Sequence, residues 1–323
     1  MTPDLDAVRR LEPDFWRAPS AHNTQPWVLR YAADRVEVVW DPARTLPAGD
    51  PTGRDLLLSM GAFVETCLIV AADAGIALDF AAGHDRTARR VGWLVGATRP
   101  YRTPFDTAAV RARTTNRGDH QPGAVPVDVL ARIDATAAEA GGRVEALPSR
   151  ELVEPLAEAD RRMFEDAAVS AELAAWLRLT PRHPRYLLDG LTDRALALST
   201  GEALGLRMAL WALPALRWAG LPRLLAASGR GTLARDGTVL VLVAPSGSGP
   251  DATVTLGRAL MRIWLALSGE GLSCHPVSQI IDCPATRARL AARLGIADPR
   301  RLVHVARVGR PVGPAPRSAR RIA

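Results

Sequence analysis

Two short stretches of the 323-residue chain hold its only two asparagines. Asn23 lies in Ala18-Pro-Ser-Ala-His-Asn-Thr-Gln-Pro-Trp27, and Asn116 in Arg113-Thr-Thr-Asn-Arg117. Lysine is absent, so all 41 cationic side chains are arginine. Depletion of both residue types fits a GC-biased coding sequence and makes a surviving asparagine informative. The first stretch sets Ser20, Asn23 and Gln25 between Pro19 and Pro26. A carboxamide carries donor and acceptor together, so it can match the alternating N–H and carbonyl edge of a heterocycle. The same residues read equally well as a polar loop capping its own backbone. The second stretch offers Arg113 and Arg117 with Thr115 between them. A planar guanidinium bonds two phosphate oxygens at once, although alone this motif would read as a solvated linker. One ligand would use both stretches: flavin mononucleotide (FMN), with a pyrimidine edge at one end and a phosphate at the other.

Further candidates lie near the C-terminus. Cys274-His-Pro-Val-Ser-Gln279 reads as a loop after an apolar helix. Pro276, Val277 and Ser278 would lie along the ring there, and a backbone N–H from this loop, at Val277 or Ser278, could reach flavin N5, where hydride arrives and leaves. His22 and His275 are candidates beside the ring, without an assigned acid or base role. Ser20 with His22 makes a poor nucleophile–base pair, for no G-x-S-x-G elbow surrounds the serine. Cys274, His275, Asp282 and Cys283 do not match zinc-site spacing, so no metal is expected. Pro245-Ser-Gly-Ser-Gly-Pro250 lacks the third glycine of a dinucleotide fingerprint and sets Asp251 at the helix start.

These residues must be held by elements that read as two copies of one unit. Arg35–Trp40 reads as a strand, followed by a Pro/Gly loop and an apolar helix from Gly61 to Gly75. Thr238–Ala244 reads as a strand, followed by a Gly/Ser loop and an apolar helix from Gly257 to Gly271, with the same step between glycines. Each half closes on another strand, Arg90–Val95 and Arg301–Ala306. Helices apolar almost all round belong in an interior, so the two halves should pack on each other as a homodimer would. Between them, helices are expected over Val127–Ala140 and Glu151–Leu179. The reading divides the chain into repeats at 1–110 and 111–323, with an insertion at about 150–230 as a possible lid.

Composition bounds the class. Hydrophobic content of 48% with 23% charged residues is an ordinary globular balance. The net charge of +7 would suit nucleic acid, but the arginines are dispersed among 34 acids, without basic–aromatic alternation, so no nucleic-acid partner is expected. Three cysteines fit a reducing cytoplasm better than a disulfide framework. The N-terminus lacks the pattern of a signal peptide. No stretch of eighteen residues is free of charge or proline, so neither a spanning helix nor a membrane partner is expected. The nearest, Met208–Leu225, reads as a buried helix pair, an apolar lid or a membrane-surface contact.

Taken in order, the motifs resemble the nitroreductase-like FMN flavoproteins, specifically the fused two-repeat group related to the mycobacterial Acg protein. The resemblance rests on Ala18–Trp27 and Arg113–Arg117. Glu172-Leu-Ala-Ala-Trp-Leu-Arg178, Asp189-Gly-Leu191, Pro276–Gln279, Arg307-Val-Gly-Arg-Pro311 and Arg320-Arg321 support it. It implies an α+β fold in which two degenerate repeats form a pseudo-dimer around antiparallel-type sheets flanked by helices. It further implies that Arg113, Thr115 and Arg117 hold the phosphate, with Arg320 or Arg321 assisting. Pro19, Ser20, Asn23 and Gln25 would meet the ring, with Pro276 to Ser278 near N5. Each motif occurs once, so one FMN per chain is expected, in a monomer or a homodimer. The implied function is hydride transfer between flavin and a small organic substrate, with NAD(P)H as a possible reductant. The alternative is a non-catalytic protein that sequesters FMN beneath a lid.

Overall fold

The computed structural model describes residues 3–229 and 231–321. Strand β1 (Trp27–Tyr31) pairs antiparallel with β2 (Arg35–Trp40), Trp27 facing Trp40. Helix α1 (Arg54–Asp73) follows, then β3 (Leu78–Asp85) and β4 (Arg90–Gly96), completing an antiparallel sheet of order β1-β2-β4-β3. After α2 (Val127–Ala138) and β5 (Arg143–Pro148) the chain enters a helical excursion. This comprises α3 (Val153–Glu165), α4 (Ala167–Trp176), the two-residue parallel pair β6 (Leu177–Arg178) and β7 (Leu191–Thr192), α5 (Thr200–Leu216) and α6 (Leu221–Ser228). Strand β8 (Thr238–Val243), helix α7 (Pro250–Gly269), β9 (Ser273–Pro276) and β10 (Leu302–Gly309) complete a second antiparallel sheet of order β5-β8-β10-β9. The expected α+β architecture with antiparallel sheets is therefore present.

The two sheets share one strand order when β1, β2, β3 and β4 are matched to β5, β8, β9 and β10. In each, the long apolar helix sits between the second and third strands in sequence. Residues 57 to 71 of α1 are all buried, and each large apolar side chain among them stabilises the fold by about 1.5–3 kcal/mol. Helix α1 is long and apolar enough to cross a membrane, yet 83% of that window is buried within the protein, where it packs on α7. Its one deeply buried carboxylate, Glu65, is met by Arg258 at 2.9 Å, Arg262 at 3.5 Å and the Tyr101 hydroxyl at 2.7 Å. A buried charge persists only with such partners.

Several expectations change in detail. Helix α1 begins at Arg54, so Gly61 is a mid-helix contact residue and not an early turn. Residues 151–179 do not form one helix. Asp166 leaves helical geometry (ψ 122°) and its carboxylate caps Ala168 and Val169, starting α4 afresh. Cys274–Pro276 is not loop but strand β9, paired with β10. The helix Thr107–Ala112 runs across the expected boundary at 110/111. Helices α5 and α6 form over Met208–Leu225, but this pair is not buried: Trp211 is 79% and Trp218 95% exposed.

Candidate functional site

The Ser20–Gln25 loop is held in a conformation that its residues do not favour. His22, Asn23 and Gln25 all have positive φ (47°, 55° and 50°) without being glycine. Such residues cost about 1–2 kcal/mol each, so tertiary bonds must fix them. Ser20 Oγ accepts from Gln25 N at 2.9 Å, and Ala21 N donates to Ser59 Oγ on α1 at 3.3 Å. The Asn23 amide donates to Gly190 O at 3.1 Å and Ala319 O at 3.0 Å, while its Oδ1 accepts from Arg320 Nη1 at 2.9 Å. Gln25 donates to Leu188 O and accepts from Arg321 N, both at 2.9 Å. One loop thus ties together the first half, the helical excursion and the C-terminal segment. Asp189 reinforces the join, binding Arg44 and Arg178 at 3.0 Å each and also Arg185.

Behind this loop lies a cavity of about 750 Å³, within the range of roughly 300–1,000 Å³ typical of cofactor and small-ligand sites. Pro19, Ser20, His22 and Asn23 line it from the N-terminal loop. Arg113, Thr115 and Arg117 enter from the segment before α2, His275, Pro276 and Ser278 from β9 and the turn after it, and Arg320 from the C-terminal segment. Gln25 and Val277 stand behind the wall, fully or almost fully buried, and Arg321 also lies outside the lining. Thr115 is placed by a bridge to Cys274, with Asn116 N donating to Cys274 O at 3.0 Å. Stretches some 160 residues apart in sequence are thereby locked side by side.

The arginines give the cavity its character. Among the described residues, none of Arg113, Arg117 or Arg320 forms an ion pair. Arg113 is buried over the Trp264 ring at 5.5 Å, with one weak bond to Arg17 O at 3.4 Å; its Nε and Nη1 have no partner. Among the described residues, Arg117 donates only to Ala195 O at 3.3 Å. Arg320 donates to Asn23 and to backbone carbonyls of the first and last segments, leaving Nε without a partner. Burial pulls Arg113 and Arg117 down to about 10, and burial together with Arg113 and Arg17 pulls Arg320 to about 9. Buried cations without a counter-charge are costly. The arrangement, three guanidiniums from two chain segments lining one cavity, fits an anion with several acceptor oxygens, such as a phosphate.

The histidines differ. Burial pushes His22 and His304 down to about 4 and His275 well below its ordinary range, the last two arginine neighbours, Arg117 and Arg307, adding to the effect on His275. All three are neutral near pH 7, so they can act there as hydrogen-bonding groups but not as stored protons. His304 is a residue that sequence reasoning missed. Its Nδ1 meets Ser278 Oγ at 3.2 Å, its ring lies 5.5 Å from that of Trp264, and Nε2 has no partner. Its only sequence signal was a polar residue inside an apolar strand. Glu172 was also missed as a wall residue. From α4 it accepts from Ala48 N at 3.0 Å and Gly49 N at 2.8 Å, clamping the helical excursion onto the first half. Met163, Leu173, Leu191 and Leu196 of the excursion line the cavity as well.

No protein-family model matches the chain. It is similar to a protein of Mycobacterium tuberculosis H37Rv provisionally named an NAD(P)H nitroreductase, Rv3131, at 26% identity over 299 residues, 90% of this chain and 82% of the relative. An M. tuberculosis CDC 1551 protein of the same provisional naming, MT3217, matches with the same figures. Among solved structures, the FMN-dependent nitroreductase NfnB of Mycobacterium smegmatis in complex with NADPH is similar at 20% identity. It covers 65% of this chain and 92% of that one, with a TM-score of 0.36, too low to equate positions between the two.

Proposed function

The chain belongs to the nitroreductase-like family, and on that premise we propose that it is an FMN-dependent oxidoreductase that passes hydride between flavin and a small organic substrate. The observation that carries this reading is the trio Arg113, Arg117 and Arg320, cavity-lining guanidiniums without an acidic partner. They would hold the FMN phosphate, with the Thr115 hydroxyl beside them. Bound there, the flavin supplies the two-electron chemistry. The chain positions it: the Ser20–Asn23 loop forms one wall, and the turn Pro276–Ser278 another. Without lysine, positive charge beside the ring can come only from arginine or a helix N-terminus. Neutral His22, His275 and His304 offer hydrogen bonds without adding charge. The relatives' names make NADH or NADPH the reductant of choice.

In this reading the two sheets are degenerate repeats, at about 1–110 and 111–323, and the helical excursion roofs the one composite site. One feature supports a single flavin per chain. Ala62 lines the cavity from α1. The same step along the chain that takes Gly61 to Gly257 takes Ala62 to Arg258, whose guanidinium is locked to Glu65 and lies 5.7 Å from the Tyr101 ring and 5.9 Å from that of Phe80. The second, related position is filled by side chains.

Anaerobic mixing with NADPH or NADH tests the proposal. The yellow protein should bleach within seconds and recover its colour on addition of a nitroaromatic or quinone. A flavin that neither nucleotide reduces would sink the enzymatic reading and leave sequestration.

A further inference from the structure

Ten large hydrophobic residues stand exposed among the described residues, and eight of them fall between Leu187 and Leu224. Helix α5 explains the clustering. Its 17 residues carry only Glu202 and Arg207 as charges, so it is apolar on both sides. Ala203 and Leu213 are buried inward, while Leu204, Met208 and Trp211 form an outward stripe at helical spacing, exposed by 52%, 51% and 79%. Trp218 at 95% and Leu224 at 69% extend the patch onto the following turn and α6. Isolated exposed apolar residues need no explanation, but eight within one segment, two of them open tryptophans, mark a surface that something covers.

We propose that this face docks onto an anionic lipid bilayer, as an interfacial contact and not a span. The charges nearby favour that occupant over a second copy. Arg182, Arg185, Arg194, Arg207 and Arg223 are exposed in the same segment. Its acids are engaged: Asp189 is buried among three arginines, Asp193 accepts from Tyr186, and Glu202 closes the capping box with Ser199. A self-complementary dimer would set this arginine rim against itself, whereas an anionic headgroup layer complements it. Tryptophan and leucine seated at headgroup depth with arginine around them form the usual interfacial anchor. The proposal departs from the expectation, drawn from the sequence, that the chain has no membrane partner. The inference rests on this surface alone and is independent of the flavin reading.

The test is sedimentation of the purified protein with phosphatidylcholine vesicles, with and without phosphatidylglycerol. The protein should pellet with the anionic vesicles only, with a blue shift of tryptophan emission, and should release in high salt. The double variant Trp211→Ser/Trp218→Ser should lower partitioning at least about tenfold with an unchanged far-ultraviolet circular dichroism spectrum, since both side chains are exposed. Three results would overturn the proposal: no pelleting with anionic vesicles, equal pelleting of the double variant, or a dimer in light scattering that the double variant abolishes while vesicles bind neither protein.

Discussion

Gly61 and Gly257 meet backbone to backbone where α1 crosses α7. A methyl group at Gly61 would sit 2.1 Å from the Val254 carbonyl oxygen and 2.8 Å from the Gly257 Cα. One at Gly257 would sit 2.3 Å from the Leu58 carbonyl oxygen. The contacts are reciprocal, because the step that takes Gly61 to Gly257 also takes Leu58 to Val254. Reciprocity of this kind is the mark of a two-fold interface, where residue i touches j and j touches i. Here it occurs within one chain.

Gly61→Ala and Gly257→Ala should each destabilise the protein by about 1–3 kcal/mol or more, because the obstacle is backbone and cannot swing aside. The double variant should cost less than the sum, since the first already separates the helices. Urea unfolding of the three proteins measures this; strict additivity would argue against a shared contact.

Arg113→Ala separates a binding role from a structural one. It removes a buried guanidinium that has no counter-ion, so the apoprotein should be as stable as the parent or more so. Loss of a charged hydrogen-bond partner should still weaken FMN binding by about 1.5–3 kcal/mol or more. Thermal melts without flavin and fluorescence titration with it give the two readouts, and a destabilised apoprotein with normal FMN affinity would contradict the assignment.

Glu65→Ala should do the opposite. It strands Arg258 within the helix interface, while Arg262 keeps Glu139, and breaking a buried pair from one side costs about 3–5 kcal/mol. Flavin stoichiometry should stay at one per chain, because the residue lies outside the cavity lining. Absorbance per chain after gentle purification checks this.

Asp160 predicts a pH dependence. Burial raises its carboxyl to about 6, against a lowering bond from Gln279. Its pKa is higher folded than unfolded, so its contribution is fully present below about pH 4 and is lost as pH rises through 6. Asp160→Asn keeps the acceptor for Gln279 and cannot ionise. It should therefore stabilise the protein at pH 8 by about 2–3 kcal/mol and leave it unchanged near pH 4. Chemical denaturation at the two pH values is the measurement.

Much of this was legible because rare residue types marked it. Asn23, Asn116 and the arginines around Arg113 stood out in a chain nearly free of asparagine, and strands such as Arg35–Trp40 followed from apolar composition. What stayed hidden depends on tertiary placement. Sequence could offer the Asn23 and Gln25 amides to a heterocycle, but it could not show that both are engaged by Gly190, Ala319, Leu188 and Arg321, each far away in the chain. The left-handed backbone of His22 leaves no sequence trace, since glycine would be the usual choice. Helix α5 looked like core because its composition is apolar on every side; only packing reveals that one of those sides faces outward.

The central claim is that Arg113, Arg117 and Arg320 together grip a phosphate. Parallel titration of the apoprotein with FMN and with riboflavin tests it most directly, because the two ligands share the ring and differ in that one group. The account predicts FMN bound at least about a hundredfold more tightly, one per chain. Equal affinity for the two would contradict it.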